Sequence, residues 1–336
     1  MIKENSSLLQ KKKEGLYCIP GGFFIDPLLP VDKALITHAH TDHARPNNNH
    51  VLGLIETLEV MKIRYGVNYS QKPQVLKYNQ TLKIGDVYVK FLPAGHILGS
   101  AQILITYKGY KVLISGDYKR RPDKTCLEYE PADCHTFITE ATFGLPIFKH
   151  PDDKVEIKKL IESLKINNNS VHLIGVYALG KCQRVISLLR EAGYDDIIYL
   201  HSALSKITEY YISKDIKLGK IKNIKEIDIC NFKNQLILCP PSALNDRWSR
   251  KFKKVIKGYV SGWMNIKQRV KQKNIELPII ISDHSDWFEI INTVKDNNPT
   301  EVLITHGREE ALNYYLNLNG YKSKALSLLG FEDEDE

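Results

Sequence analysis

The chain has no apolar run approaching the ~20 residues that a membrane-spanning helix needs. Its opening stretch, MIKENSSLLQKKKEG, has none of the apolar core of an export signal. No membrane association and no secretion are therefore expected, and the cytoplasm is the expected compartment. The six cysteines (Cys18, Cys126, Cys134, Cys182, Cys230 and Cys239) are scattered and form no C-x-x-C pair. That spacing argues against a zinc ribbon or a disulfide frame, so they read as buried or incidental thiols under reducing conditions. Acidic residues are absent between Arg247 and Lys273, although the chain holds 39 in all. What is present is ordinary for a globular protein: 43% hydrophobic residues and 26% charged ones exclude a disordered chain. At 336 residues it can bury two compact units, or one unit with an insertion. The net charge of +8 favours a polyanionic partner.

The densest chemistry is HAHTDH at 38–43, directly after the short apolar strand Ala34 to Ile36. Neutral imidazoles suit zinc, and a carboxylate adds a hard oxygen and neutralises charge. In an extended segment His38 and His40 point the same way, because side chains alternate with period two. Asp42 and His43 fall on the turn beyond, where they could face a second ion. Three histidines at a strand end serve no packing purpose, so this is read as a metal site.

In chain order, residues 1–14 read as a loose basic lead-in, and GLYCIPGGFFIDPLLP as two short strands around a Gly-Gly turn. VLGLIETLEVMKIRYG has apolar residues at helical spacing. Two hairpins follow, turning at Gly85-Asp86 and at Gly109, and then a strand ending at Glu140. From about residue 147 the pattern becomes strand–helix alternation, as in a small parallel α/β unit. Two late strands end in His284 and His306, and FEDEDE at 331–336 reads as a solvated acidic tail.

H-x-H-x-D-H resembles the signature of the metallo-β-lactamase superfamily. The resemblance extends to Asp26 in FFIDP, His96 in LPAGHILGSA and Asp117 in KVLISGDYK, in the superfamily's order. Glu140 in TEATFG, His284 in SDHSD and His306 in ITHG are similar to motifs A, B and C of the nucleic-acid-cleaving β-CASP branch, and YALGKCQR matches its helix motif. GLYCIPGGFFIDP, GHILGSAQ, ITEATFGLP, PPSA, SGWM and SDHSDW together resemble the bacterial DNA ligase-associated exonuclease family, from residue 15 to about 310.

That resemblance implies an αββα sandwich of the metallo-β-lactamase type, in parts 1–142 and 277–336, with a β-CASP α/β domain inserted at 143–276 to cap the cleft. It implies two divalent ions, zinc or manganese. One would be held by His38, His40, His96 and Asp117, the other by Asp42, His43, Asp117 and His306. Asp26 would orient a metal-bound histidine, His284 would protonate the leaving oxygen, and Glu140 would hold its ring. The implied activity is DNA exonuclease in repair, beside an ATP-dependent ligase and a helicase. Histidine at motif C goes with RNA in the β-CASP group, so His306 points toward RNA while the longer match points toward single-stranded DNA. A catalytically inactive binding subunit is the reading from another class, and it predicts eroded ligands.

The substrate reading has its own residues. Ten lysines and arginines lie between Arg247 and Lys273, interleaved with Trp248, Phe252, Tyr259 and Trp263. Cations that track phosphates, with aromatic faces for bases, are what a single strand requires. Arg247, Trp248, Arg250, Lys251, Lys253, Lys254 and Trp263 are the candidate contacts, with Lys181 at a helix start as a further phosphate contact.

Overall fold

Short alternating segments near the start of the chain build a mixed sheet. In the computed structural model, which describes residues 8–226 and 234–326, this sheet has six strands in chain order. β1 (Leu9–Lys12), β2 (Gly15–Cys18) and β3 (Phe23–Ile25) pair antiparallel; β4 (Lys33–Leu35), β5 (Asn48–Gly53) and β6 (Ser70–Val75) continue in parallel. α1 (Ile55–Tyr65) packs Leu58 and Met61 against Ala34, Ile36 and Val51 on one face of that sheet. Two expectations change here. The basic lead-in contains β1, and the expected helix from Val51 gives its first residues to β5. Cys230, the acidic tail and the first residues of the lead-in lie outside the described residues.

The two expected hairpins form, from β7 (Thr81–Ile84) to β8 (Val87–Pro93) and from β9 (Ala101–Tyr107) to β10 (Tyr110–Ile114). Gly85 and Gly109 turn them with φ of 57° and 82°, a region where glycine has no steric penalty. β11 (Thr136–Ala141) then lies parallel to β10.

The segment His150–Asp283 is a separate compact unit. α2 (Asp153–Ile166), capped by the Asp152 side chain on the Lys154 N–H, leads to β12 (Val171–Gly175), α3 (Lys181–Glu191), β13 (Ile198–Leu200) and α4 (Ser202–Ser213). β14 (Ile221–Asn223), β15 (Leu236–Cys239), β16 (Val255–Val260), α5 (Lys267–Gln272) and β17 (Leu277–Ile279) complete it. All six strands are parallel, in the order β14-β13-β15-β12-β16-β17. The structure draws both borders later than the sequence reading did. Phe148 stays with the first unit, where its ring meets Phe143 and its carbonyl accepts the Trp287 N–H. β17 pairs with β16, so Leu277–Ile279 belong to the second unit.

The chain re-enters the first unit at His284 with α6 (Trp287–Asn297), β18 (Glu301–Gly307), α7 (Glu309–Leu318) and β19 (Ser323–Ala325). The second sheet of that unit has the order β19-β18-β11-β10-β9-β8-β7. Its inner face shares a core with the first sheet, where Phe23, Ile25 and Leu35 meet Phe91, Ile103 and Ile114. Its outer face buries Leu113, Phe137 and Val302 against Trp287, Ile290, Leu312 and Leu316 of α6 and α7. The layers are therefore helix, sheet, sheet, helix. No disulfide joins the described cysteines, and burial pushes the Cys134, Cys182 and Cys239 thiols up to about 12. Among the described residues no helix is long and apolar enough to cross a membrane.

Candidate metal centre

Strand ends deliver the candidate ligands. Asp26 follows β3, and His38, His40, Asp42 and His43 follow β4. β8, β10, β11 and β18 all run in one direction, so their carboxyl ends share an edge of the second sheet. There His96 follows β8, Asp117 follows β10, Glu140 is near the end of β11 and His306 near the end of β18.

His306 reaches the cluster through an irregularity. Glu140 pairs with Thr305 and Ala141 with Gly307, so His306 is an extra residue bulged out of the β11–β18 ladder. It adopts φ 60°, which a side chain rarely tolerates. Gly307 follows at φ 91°, where an added Cβ would meet the Ala141 carbonyl. Strain of this kind persists where the surrounding ladder fixes it, and here it aims an imidazole.

The structure brings together His38, His40, His96 and Asp117, whose ligand atoms all lie within 4.8 Å of one another. Asp42, His43 and His306 form a second such group, and Asp117, Glu140 and His284 a third. Within the first, His96 Nε2 is 3.0 Å from His40 Nδ1. Asp117 joins the first two groups: its Oδ2 lies 3.3 Å from His38 Nε2, and its Oδ1 3.4 Å from His43 Nε2. A carboxylate with each oxygen turned to a different imidazole set is suited to bridging two cations.

The donor atoms fit divalent metal. His38 Nε2 and Asp42 Oδ1 are buried without an aligned hydrogen bond among the described residues. Such an atom costs about 1–3 kcal/mol, which coordination would remove. The outer nitrogens are held as metal-binding histidines require. Asp26 Oδ2 lies 2.8 Å from His43 Nδ1 and accepts the Thr37 hydroxyl at 2.5 Å, while its Oδ1 accepts the Thr37 N–H at 2.8 Å. The same hydroxyl is 3.0 Å from His38 Nδ1.

Electrostatics follow from burial and crowding. Burial opposes a charge on His43, but the Asp117, Asp42 and Asp26 carboxylates outweigh it and raise that imidazole well above its usual range. Burial, then the neighbouring His284, His38 and His40, holds His96 well below it. His306 is lowered chiefly by burial. Burial alone would raise the Asp42 and Asp117 carboxyls, yet His43 leads the imidazoles that keep both low.

His284 lies in a loop three residues before α6, not at a strand end as expected, with Nδ1 2.8 Å from Glu140 Oε2 and 3.0 Å from Oε1. Glu140 also accepts the Tyr118 N–H at 2.8 Å and the Thr142 hydroxyl at 2.5 Å. The Ser285 N–H donates to the Tyr118 carbonyl at 2.9 Å, so the turn after Asp117 braces both members of the pair. Arg121 reaches Glu289 at 2.8 Å and Asp286, which caps α6. Lys119, fully buried, pairs with Asp123 at 2.5 Å and reaches the His96 carbonyl at 3.3 Å.

Thr37, Tyr118, Lys119 and Thr142 are supports that the sequence reading did not single out. All four lie within two positions of a candidate residue, and Lys119 also precedes its partner Asp123 by four.

The nucleic-acid candidates separate into two kinds. Lys181 is buried, with its ammonium on the Ile281 carbonyl at 3.0 Å and on Asp283 at 3.4 Å, so it faces protein instead of a phosphate. Its neighbour Arg184 is likewise buried, on Asp153, Asp283 and the Ser282 carbonyl. Trp263 is 2% exposed, under the Arg269 guanidinium. Arg247, Arg250, Lys251, Lys253 and Lys254 are exposed, and Trp248 is partly so.

No protein-family model matches the chain. It is 26% identical over 301 residues to a "Probable DNA ligase" of Opitutus terrae, covering 88% of this chain and 29% of that protein. With "Probable RNase MJ4" of Methanocaldococcus jannaschii it shares 30% identity over 242 residues, covering 59% and 56% of the two chains. With "Cleavage and polyadenylation specificity factor subunit 3" of Dictyostelium discoideum it shares 23% over 376 aligned positions, covering 87% and 48%. The chain thus spans less than two thirds of each of these relatives. A crystal structure of a protein of unknown function from Enterococcus faecalis superposes with a TM-score of 0.58 at 13% identity, covering 86% of this chain and 78% of that one, a likeness of fold alone. The layer order and the residues gathered at the strand ends agree with a metallo-β-lactamase fold, and the chain is similar to these relatives, which are members of the β-CASP branch of that superfamily.

Proposed function

We propose that the protein is a metal-dependent phosphodiesterase acting on nucleic acid, most specifically a DNA exonuclease. The observation that carries this reading is Asp117, with one oxygen toward the His38 set and the other toward His43. His38, His40, His96 and Asp117 would hold one cation; Asp42, His43, His306 and the shared Asp117 would hold a second. Zinc and manganese both suit imidazole with carboxylate. Divalent cations held there supply Lewis acidity to water and to the phosphodiester.

The chain's own groups do the rest. Glu140 accepts the Nδ1 proton of His284 and favours the doubly protonated imidazolium, whose Nε2–H would pass its proton to the departing oxygen and leave a neutral ring protonated on Nδ1. Three donors on Glu140 keep its carboxylate in place. Asp26 does for His43 what Glu140 does for His284, orienting the ring through Nδ1. The third group, Asp117 with Glu140 and His284, brings the proton donor beside the shared carboxylate.

Substrate and setting draw on the relatives. A match covering most of this chain but 29% of a protein named as a DNA ligase supports action on DNA beside a ligase. A second reading, RNA cleavage, is favoured by His306 and by the relative named as an RNase. Single-stranded DNA and RNA of matched sequence, labelled at the 5′ or the 3′ end, separate the two. Metal-dependent shortening of DNA from one end, lost in Asp117→Ala and His284→Ala, is expected and also fixes polarity. Preferred digestion of RNA would replace the DNA reading.

A further inference from the structure

Between β15 and β16 the chain crosses from one edge of the parallel sheet to the other. At the carboxyl edge Trp248 meets His201, the residue after β13, ring to ring at 4.8 Å and 90°. At the amino edge the Lys254 carbonyl accepts the N–H of Val171, the first residue of β12. The crossing spans a five-residue strand, or roughly 15 Å. Its inner side is core: Phe252 and Leu244 pack with Tyr259 and Met264.

Its outer side is cationic. Arg247, Arg250, Lys251, Lys253 and Lys254 are all exposed, and none has a side-chain ion pair or hydrogen bond among the described residues. Buried cations of the same unit behave differently, since Lys181 and Arg184 are each paired with carboxylates. The one acid in the crossing, Asp246, is turned to the Trp248 and Ser249 N–H groups. Trp248 is held edge-on by His201 and Phe252 and is partly exposed, whereas Trp263 and Trp287 are 2% and 4% exposed.

We propose that a single strand lies along this crossing, its phosphates on the five cations and one base stacked on Trp248. The proposal rests on the nucleic-acid reading above and narrows it to unpaired strands. A line of cations with one aromatic at its end contacts every phosphate but can stack only a base freed from its partner.

Trp248 reports on itself, because the other two tryptophans are shielded. Fluorescein-labelled oligo(dT) is titrated against the metal-loaded full chain carrying His284→Ala, which slows cleavage, with anisotropy for binding and tryptophan emission for stacking. The emission should fall on binding, and Trp248→Ala should weaken binding roughly 5- to 150-fold, the equivalent of ~1–3 kcal/mol per stacked base. Trp248→Phe, which keeps the packing, should bind better than Trp248→Ala but show no quench. Arg250→Gln with Lys251→Gln should flatten the salt dependence by about 0.7 per cation removed. Strand binding with unchanged emission and full affinity in Trp248→Ala would overturn the stacking site and leave the nuclease reading standing. Tighter binding of duplex than of oligo(dT) would also overturn it. Failure of anisotropy to register any DNA or RNA would remove both readings together.

Discussion

Replacing Asp26 by asparagine alters one atom of the support beneath the metal centre. Asp26 adopts φ 42°, and asparagine tolerates that left-handed region, so the backbone should hold. The retained carbonyl oxygen can still accept the Thr37 N–H, now at 2.8 Å. The new amide NH2 then faces the Thr37 hydroxyl and His43 Nδ1, both now close to Asp26 Oδ2. A hydroxyl can rotate to accept, but Nδ1–H cannot. His43 is driven toward the tautomer protonated on Nε2, the atom 3.3 Å from Asp42 and 3.4 Å from Asp117. That nitrogen can no longer coordinate. Losing such an outer partner typically costs 10- to 100-fold in metal affinity, or about 1.4–2.8 kcal/mol. Competition against a chromophoric chelator should show this loss for one of two ions, with little change in the melting temperature. Unchanged affinity for both ions in a folded Asp26→Asn protein would refute the reasoning and reduce Asp26 to a turn residue.

Arg184→Met should destabilise the His150–Asp283 unit by about 3–5 kcal/mol in urea unfolding, because two buried carboxylates lose their guanidinium; a change below about 1 kcal/mol would contradict that. Glu140→Gln should lower kcat about 10²- to 10⁴-fold with KM nearly unchanged, the scale of a positioned proton donor; an equal rise in KM would place the residue in binding. The raised His43 implies that the metal-free protein carries a proton there above pH 6.5, so metal must displace it. Affinity should therefore fall about tenfold per unit as pH drops from the folded pKa toward 6.5, with about one proton released on binding. His96 and His306, both lowered, should add no proton in that range. Calorimetry in buffers of different ionisation enthalpy reads the proton count.

The grouping of the candidate ligands was legible because those residues advertise themselves. HAHTDH packs four candidate ligands into six positions, and Asp26, His96, Asp117 and His306 each close an apolar strand. What stayed hidden depends on contacts distant in sequence. Lys181 after Gly180 reads as a phosphate contact at a helix start, yet Asp283 and the Ile281 carbonyl, about a hundred residues on, bury it. Trp263 in a cationic stretch reads as a stacking face, but it follows β16 into the core. β6, SQKPQV, carries no apolar pattern because its side chains after Ser70 are exposed, and backbone pairing with β5 alone defines it. The unit borders shifted for a related reason: Phe148 and β17 are assigned by their partners, which local composition does not name.

The central claim, a metal centre that cleaves nucleic acid through Asp117, is tested most directly by stripping the protein with chelator and restoring zinc or manganese. Bound metal and strand cleavage are followed together in wild type and Asp117→Ala. Two ions per chain with restored cleavage in wild type, and loss of both in the variant, is the predicted result. Cleavage that survives metal removal, or two bound ions in a wild-type protein that binds strands without cutting any, would contradict it.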